Sequence, residues 1–294
     1  MKRLRYYAEA ALVFILMHIF KALPLDAASA TGGFIGRTLG PRLAVSRKAL
    51  RNIARALPDM PPAEQQITLL HMWDNLGRTF SELPHLKTIC ATRVELINGH
   101  IADDLRNDNK GAILFGAHLA NWEIPLIYVI ENLNLEFGAV YREPNNPYVA
   151  RVMEKIRNPD QRLRGIAKSR TGARDIIRAL KENIHLGIFI DQKYNEGIAA
   201  PFFGHPAMTS PAFAELGQKF VVPVVPLQIE RLNGANFRVT LHDPLKLYDD
   251  AGAPLPALDC IANAHRLLED WIRARPAQWL WLHRRWPDDK KAGE

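Results

Sequence analysis

Apolar residues in this chain fall into two regimes with different spacing. Up to about residue 100 they recur at helical intervals, and Gly32, Gly36 and Gly40 return every fourth position. That spacing predicts a helix with one bare stripe for close approach to a neighbouring helix or to membrane-embedded protein. Pro41 ends or kinks it. Arg42 through Leu57 reads as a basic amphipathic helix, suited either to an anionic surface or to a solvated charged face. From residue 101 onward, short apolar runs bounded by glycine, proline and asparagine alternate with longer periodic segments. The predicted strands are Ala112–Phe115, Glu136–Val140, Leu186–Ile190, Val221–Ile229 and Phe237–Leu241. Predicted helices cover Trp122–Asn132 (with Asn121 as cap), Pro147–Ile156, Gly172–Lys181 (capped by Thr171), Pro211–Lys219 and Leu258–Ala274. The expectation is an α/β fold, a mostly parallel or mixed central sheet flanked by helices, preceded by an N-terminal membrane-anchoring helical segment. Three regions follow: residues 1–25 as an anchor helix, 26–100 as an amphipathic helical region, and 101–294 as the α/β catalytic domain.

The first region changes the picture most. Lys2, Arg3 and Arg5 precede Ala10–Phe20, an apolar run of about 11 residues, short of the ~20 that a spanning helix needs. Three readings stand. A cleaved signal peptide is compatible with the small residues Ala28-Ser29-Ala30. A single span over Tyr6–Leu25 would have to carry Glu9, His18 and Lys21. A retained helix would lie in the bilayer boundary with its Lys/Arg anchors. The formal net charge of +7 over 294 residues points to an anionic partner, a phosphorylated lipid surface or nucleic acid. No zinc-finger cysteine pattern or RNP-like aromatic motif supports nucleic acid. Cys90 and Cys260 are isolated and imply reduced thiols without a disulfide framework. Without a P-loop, a dinucleotide glycine fingerprint or a cluster of metal ligands, the chemistry should need no cofactor and no metal.

Candidate chemistry gathers at strand ends. Gly116-Ala-His-Leu-Ala-Asn-Trp-Glu123 leaves the first predicted strand and sets His118 five positions ahead of Glu123. The two would not share one helical face. A turn could still bring them together, the carboxylate fixing the tautomer and leaving one ring nitrogen as a general base. The bland alternative is a satisfied strand-end histidine and a helix-start carboxylate. No Ser or Cys lies beside His118, so the hydroxyl to be activated would belong to a substrate. The next two strands end in Arg142 and Asp191, and in open α/β sheets ligands bind beyond the carboxyl ends of strands.

The His-(four residues)-Glu arrangement in this setting resembles the acyl-acceptor signature of the glycerol-phosphate and lipid A acyltransferase superfamily. Its Asn-Trp-Glu form is most similar to the secondary acyltransferases of lipid A biosynthesis. Further blocks resemble the same family: Ser46–Asn52, Asn75–Glu82, Tyr141-Arg142 with Asn145, Asp191-Gln192 followed by Pro201-Phe-Phe-Gly204 and Thr209, and the tail Pro276–Trp286. The resemblance covers essentially the whole chain, which is short for the class. It implies an O-acyltransferase that moves a fatty acyl group from acyl carrier protein to a hydroxyl of a lipid A precursor. His118 would be the base and Glu123 its orienter. Arg142, Asn145, Arg164, Asp191 and Gln192 would bind substrate, with Lys168, Arg170 and Arg174 adding positive charge nearby. Phe202 and Phe203 are open to two uses, an acyl tunnel or buried packing, and Trp279, Trp281 and Trp286 to lipid headgroups or core. The resemblance also favours the retained anchor, on anionic inner-membrane lipids, with the active site on the cytoplasmic face. Other acceptors (a lysophospholipid, an aminolipid, a phosphatidylinositol mannoside) and a non-catalytic membrane adaptor of the same fold remain as alternatives.

Overall fold

The computed structural model describes residues 2–141, 144–158, 160–167 and 170–287. Five helices come first: α1 (Lys2–Ala22), α2 (Leu25–Leu39), α3 (Ser46–Ala56), α4 (Pro62–Glu82) and α5 (Leu86–Thr92). The glycine stripe of α2 packs on α4. A methyl group at Gly36 would lie 2.1 Å from the carbonyl oxygen of Trp73, so only glycine permits the backbone approach found there. The stripe therefore serves a neighbouring helix. No described helix is long and apolar enough to cross a membrane.

A seven-stranded mixed sheet follows, built from β1 (Val94–Ile97), β2 (Ile113–Gly116), β3 (Phe137–Tyr141), β4 (Arg164–Ala167), β5 (His185–Phe189), β8 (Val224–Asn233) and β9 (Asn236–Leu241). The strand order is β1-β9-β8-β2-β5-β3-β4, and every pairing is parallel except the β8–β9 hairpin. Helices α6 (Gly99–Asn107), α7 (Ile124–Glu131), α8 (Pro147–Arg157), α9 (Arg170–Lys181), α10 (Ala212–Phe220) and α11 (Ala257–Ala274) connect and flank the strands. Strand β2 is buried along its length, as expected of a parallel strand covered on both faces. The continuous apolar runs that predicted β2, β3 and β5 reflect that double coverage.

Elsewhere the structure differs from the sequence reading. Edge strands β1 and β4 are four residues each, β1 interrupted by Glu95 and β4 opening on Arg164, too short and polar to carry a strand signal. Residues Ile198–Phe202 (β6) and His205–Thr209 (β7) form a separate hairpin in which Pro201 pairs with Pro206. Proline argues against a central strand, but a two-stranded hairpin has only edges and admits it. Its two-residue turn places both Phe203 and Gly204 at positive φ, the geometry that matches strand twist in tight hairpins. Val221 is the left-handed cap of α10 (φ 53°), so β8 begins three residues later than expected. Helix α9 starts at Arg170, which puts Thr171 inside its first turn and not ahead of it.

Candidate active site

The carboxyl ends of β2 and β5 build the site, because the sheet order makes these strands direct neighbours. His118 leaves β2 and Asp191 leaves β5. His118 Nδ1 lies 2.8 Å from Asp191 Oδ1, and the His118 backbone N–H donates to Oδ2 at 2.9 Å. The Trp279 indole donates to the same Oδ2 at 2.8 Å. Asp191 is only 2 % exposed. Burial pushes its carboxyl up, but the nearby His118 imidazole and these three hydrogen bonds outweigh it and hold the group well below the usual carboxylate range. An ionised Asp191 fixes the proton of His118 on Nδ1 and leaves Nε2 unprotonated.

The partner of His118 is therefore Asp191, whereas the sequence reading expected Glu123. The reason is topological: β5 brings its terminal acid beside β2, while Glu123 ends the intervening turn at the N-cap position of α7, without a side-chain capping bond. Glu123 instead receives Arg157 Nη2 of α8 at 2.5 Å and is 4 % exposed. Arg157, which carried no motif in the sequence, thus enters the site; its Nε is buried without a hydrogen-bond partner among the described residues. Asn121, expected to cap α7 by its side chain, accepts the Glu123 N–H at 3.3 Å and donates to Glu82 Oε2 at 2.9 Å.

Gln192 Nε2 lies 3.2 Å from His118 Nε2 and 3.1 Å from His283 Nε2. One amide group thereby donates to the free nitrogen of both rings. Burial and the neighbouring His118 lower the pKa of His283, consistent with a neutral ring that accepts this bond.

The His118 loop is held from two directions. Leu119 forms an antiparallel bridge with Trp279; the Leu280 N–H donates to His118 O at 3.0 Å, and the Ala120 N–H to Gln278 O at 2.9 Å. From the helical side, Asn75 and Thr79 of α4 each donate to Ala120 O at 3.0 Å. Ala120 is at positive φ (46°), so the loop is strained there and these contacts hold it. Behind it Glu82, fully buried, takes Arg231 Nη1 at 2.5 Å and Nη2 at 3.0 Å together with Ser29 and Asn121. The block Asn75–Glu82, which the sequence marked without a role, and Trp279, open there to headgroup or core use, are this scaffold.

A cleft of about 220 Å³ opens beside His118. His118, Glu123, Gln192 and Arg157 line its polar end, while Leu126, Phe137, Ala139, Leu163 and Ile188 line the rest. Gly187 lets the Phe137 ring lie close over the sheet at the cleft; a Cβ there would lie 2.6 Å from Phe137 Cζ.

Other predicted site residues divide. Asn145 is exposed and lines a hollow shared with Tyr141 and Arg157 at the cleft's edge. Arg164 is the first residue of β4, at the opposite end of the parallel strands from His118, and pairs with Glu182 at 2.8 Å. It does not line the cleft. Arg174 is exposed on α9. Arg142, Lys168 and the side chain of Arg170 lie outside the described residues. Phe202 and Phe203 are buried in packing, with Phe202 against Trp279, Trp286 and His265. All three tail tryptophans are core, at most 3 % exposed. Among the described residues no group of His, Cys, Asp and Glu could hold a metal ion, and both cysteines are buried thiols.

No curated protein matches the chain significantly. A family profile described as bacterial lipid A biosynthesis acyltransferase matches residues 1–288. With a match over nearly its whole length, the chain belongs to the bacterial lipid A biosynthesis acyltransferase family.

Proposed function

We propose that the chain transfers a fatty acyl group from acyl carrier protein to a hydroxyl of a lipid A precursor, with His118 as general base and Asp191 as its orienting acid. The observation that carries this reading is the His118–Asp191 bond. A buried carboxylate with three donors holds the proton on Nδ1, so Nε2 reaches the cleft as a base.

The acceptor hydroxyl takes the place of the Gln192 amide on His118 Nε2. Its proton passes to Nε2 while its oxygen attacks the thioester carbonyl, and Asp191 stabilises the imidazolium. Collapse of the tetrahedral intermediate breaks the carbon–sulfur bond, and His118 returns the proton to the departing thiolate. The displaced Gln192 N–H, 3.2 Å from His118 Nε2 in the free site, is the donor for the oxyanion. His283 accepts the other Gln192 N–H and keeps the amide oriented. Glu123 and Arg157 form a paired wall that positions the polar part of a substrate, and the apolar run from Leu126 to Leu163 takes the acyl chain.

Helix α1 supports a retained interfacial anchor. Its exposed Leu12, Phe14, Ile15 and Ile19 follow the basic residues of its first turn, which suits burial of one side in the acyl boundary of the cytoplasmic leaflet. Mass spectrometry of lipid A from cells lacking the chain tests the whole reading. A precursor short of one acyl chain is expected, restored by the native chain and not by His118→Ala. Unchanged lipid A would overturn the acceptor.

A further inference from the structure

A second cavity, of about 520 Å³, lies between α1, the turn Leu83–His85 that leads into α5, and α8. That volume is in the range of small-molecule sites and exceeds the cleft beside His118. Its floor is apolar: Met17, Leu83 and Leu86 are buried there, and Val152 and Ile156 form the α8 side. The rim is cationic, with Lys21, Lys87, Arg151 and Lys155. Among the described residues, no carboxylate lines it. In a chain of 38 basic and 31 acidic residues, four cations with no acid is a marked segregation. Lys87 pairs with Asp160 outside the groove; Lys21, Arg151 and Lys155 form no ion pair among the described residues.

The groove also adjoins the exposed apolar side of α1, since Phe14 belongs to both and is 52 % exposed. An apolar trough under a ring of cations fits a molecule with a hydrocarbon tail and a phosphate head. An acidic protein would meet the cations and leave the trough unfilled. We infer that this groove is a second ligand site that takes one anionic membrane phospholipid, its acyl chain on Leu83, Leu86 and Ile156 and its phosphate on Lys21, Arg151 and Lys155. The inference rests on the reading of α1 as an interfacial helix.

The occupant would bear on the reaction through α8. At one end of that helix Asn146 donates to Tyr6 O at 2.9 Å and Glu9 Oε2 at 2.8 Å, and the Tyr148 hydroxyl meets that of Tyr7 at 2.9 Å. At the other end Arg157 holds Glu123. A lipid seated between α1 and α8 fixes the rod that joins the membrane helix to the cleft.

Calorimetric titration of the full chain with monomeric dihexanoylphosphatidylglycerol tests this without donor, acceptor or bilayer, so its failure is separate from failure of the acyltransferase reading. Saturable binding of one lipid per chain is expected, at least tenfold weaker for dihexanoylphosphatidylcholine and absent for inorganic phosphate. Val152→Trp, which fills the groove, should abolish it. Lys155→Glu, at an exposed position where folding is not at stake, should weaken it at least tenfold. Equal binding of the two lipids, equal binding of phosphate alone, or affinity unchanged in both variants would overturn the site. So would displacement of the lipid by an acidic acyl carrier protein whose own affinity falls in the same two variants, which would assign the groove to the donor.

Discussion

His118 Nδ1 and Asp191 Oδ1 stand 2.8 Å apart although 73 positions separate the residues. Their contact follows from β5 inserting between β2 and β3 in the sheet, although β3 follows β2 in the chain. The crossing puts two strand ends that carry charge side by side, and the Trp279 indole closes the acid from water.

Asp191→Asn should therefore lower kcat by about 10³–10⁴, since the amide no longer fixes the tautomer or balances the imidazolium. His118→Ala should cost about as much, and the double variant little more, because the two act as a unit. Glu123→Gln should be milder and raise KM more than it lowers kcat, as expected for a residue that holds Arg157. Steady-state kinetics with an acyl carrier thioester decide it. A loss below tenfold in Asp191→Asn, with near-complete loss in Glu123→Gln, would return the orienting role to Glu123.

Chain-length selection should be set at Gly187. Any side chain there meets Phe137, with Leu126 Cδ2 behind at 3.4 Å. Gly187→Leu is expected to shift the enzyme toward shorter acyl donors, and Phe137→Ala toward longer ones. Competition between donors of different length, read by mass spectrometry of the product, checks both. A uniform fall in rate with an unchanged product ratio would place the chain elsewhere.

What the sequence showed and what it hid divide along physical lines. Local signals held: the doubly covered β2 and β5 announced themselves as apolar runs, and the glycine stripe of α2 announced a close helix contact. Part of the candidate site was also legible, because His118, Asp191, Gln192 and Glu123, which the fold brings together, each close a run or sit in a motif. Partnership was hidden. The motif resemblance named Glu123 for His118, but neither a motif nor a spacing carries information on which strands become neighbours. Arg157 had no signal at all beyond its place as a last-turn cation of α8. The tail tryptophans mixed with arginine read equally as interface or core, and only the fold shows Trp279 on Asp191 and Arg285 fully buried.

The Glu82–Arg231 pair should be a stability determinant with a catalytic consequence. Arg231→Met leaves a fully buried carboxylate with only Ser29 and Asn121 as donors, and breaking such a pair costs about 3–5 kcal/mol. Urea denaturation should show that loss. Ser29→Ala, which removes one neutral donor, should cost about 1 kcal/mol. Because Asn121 links Glu82 to the His118 loop, Arg231→Met should also lower kcat at temperatures where it remains folded. A stability change below about 1 kcal/mol would show that the pair contributes nothing net.

Acid should destabilise the fold through His265 well before carboxylates titrate. Its Nδ1 donates to Pro201 O at 2.7 Å, and its Nε2 faces Arg285 Nη2 at 3.0 Å and the Thr209 hydroxyl at 3.1 Å. A ring that accepts from a guanidinium is neutral. Burial, reinforced by the Arg285 charge, lowers its pKa to about 4 from 6.5. The sign follows from proton counting. Between those values the unfolded chain binds a proton that the folded chain refuses, so stability falls as pH drops from about 6.5 and the loss is complete near 4. A gap of that size corresponds to about 3 kcal/mol. His185, His242 and His283, whose pKa values burial also lowers, add to the slope in the same direction. Urea midpoints at pH 7 and pH 4.5 measure it, and His265→Gln, which keeps an acceptor for Arg285 without a titrating ring, should flatten the acid limb by most of that amount. An acid limb as steep in His265→Gln as in the native chain would assign the slope to the other three histidines.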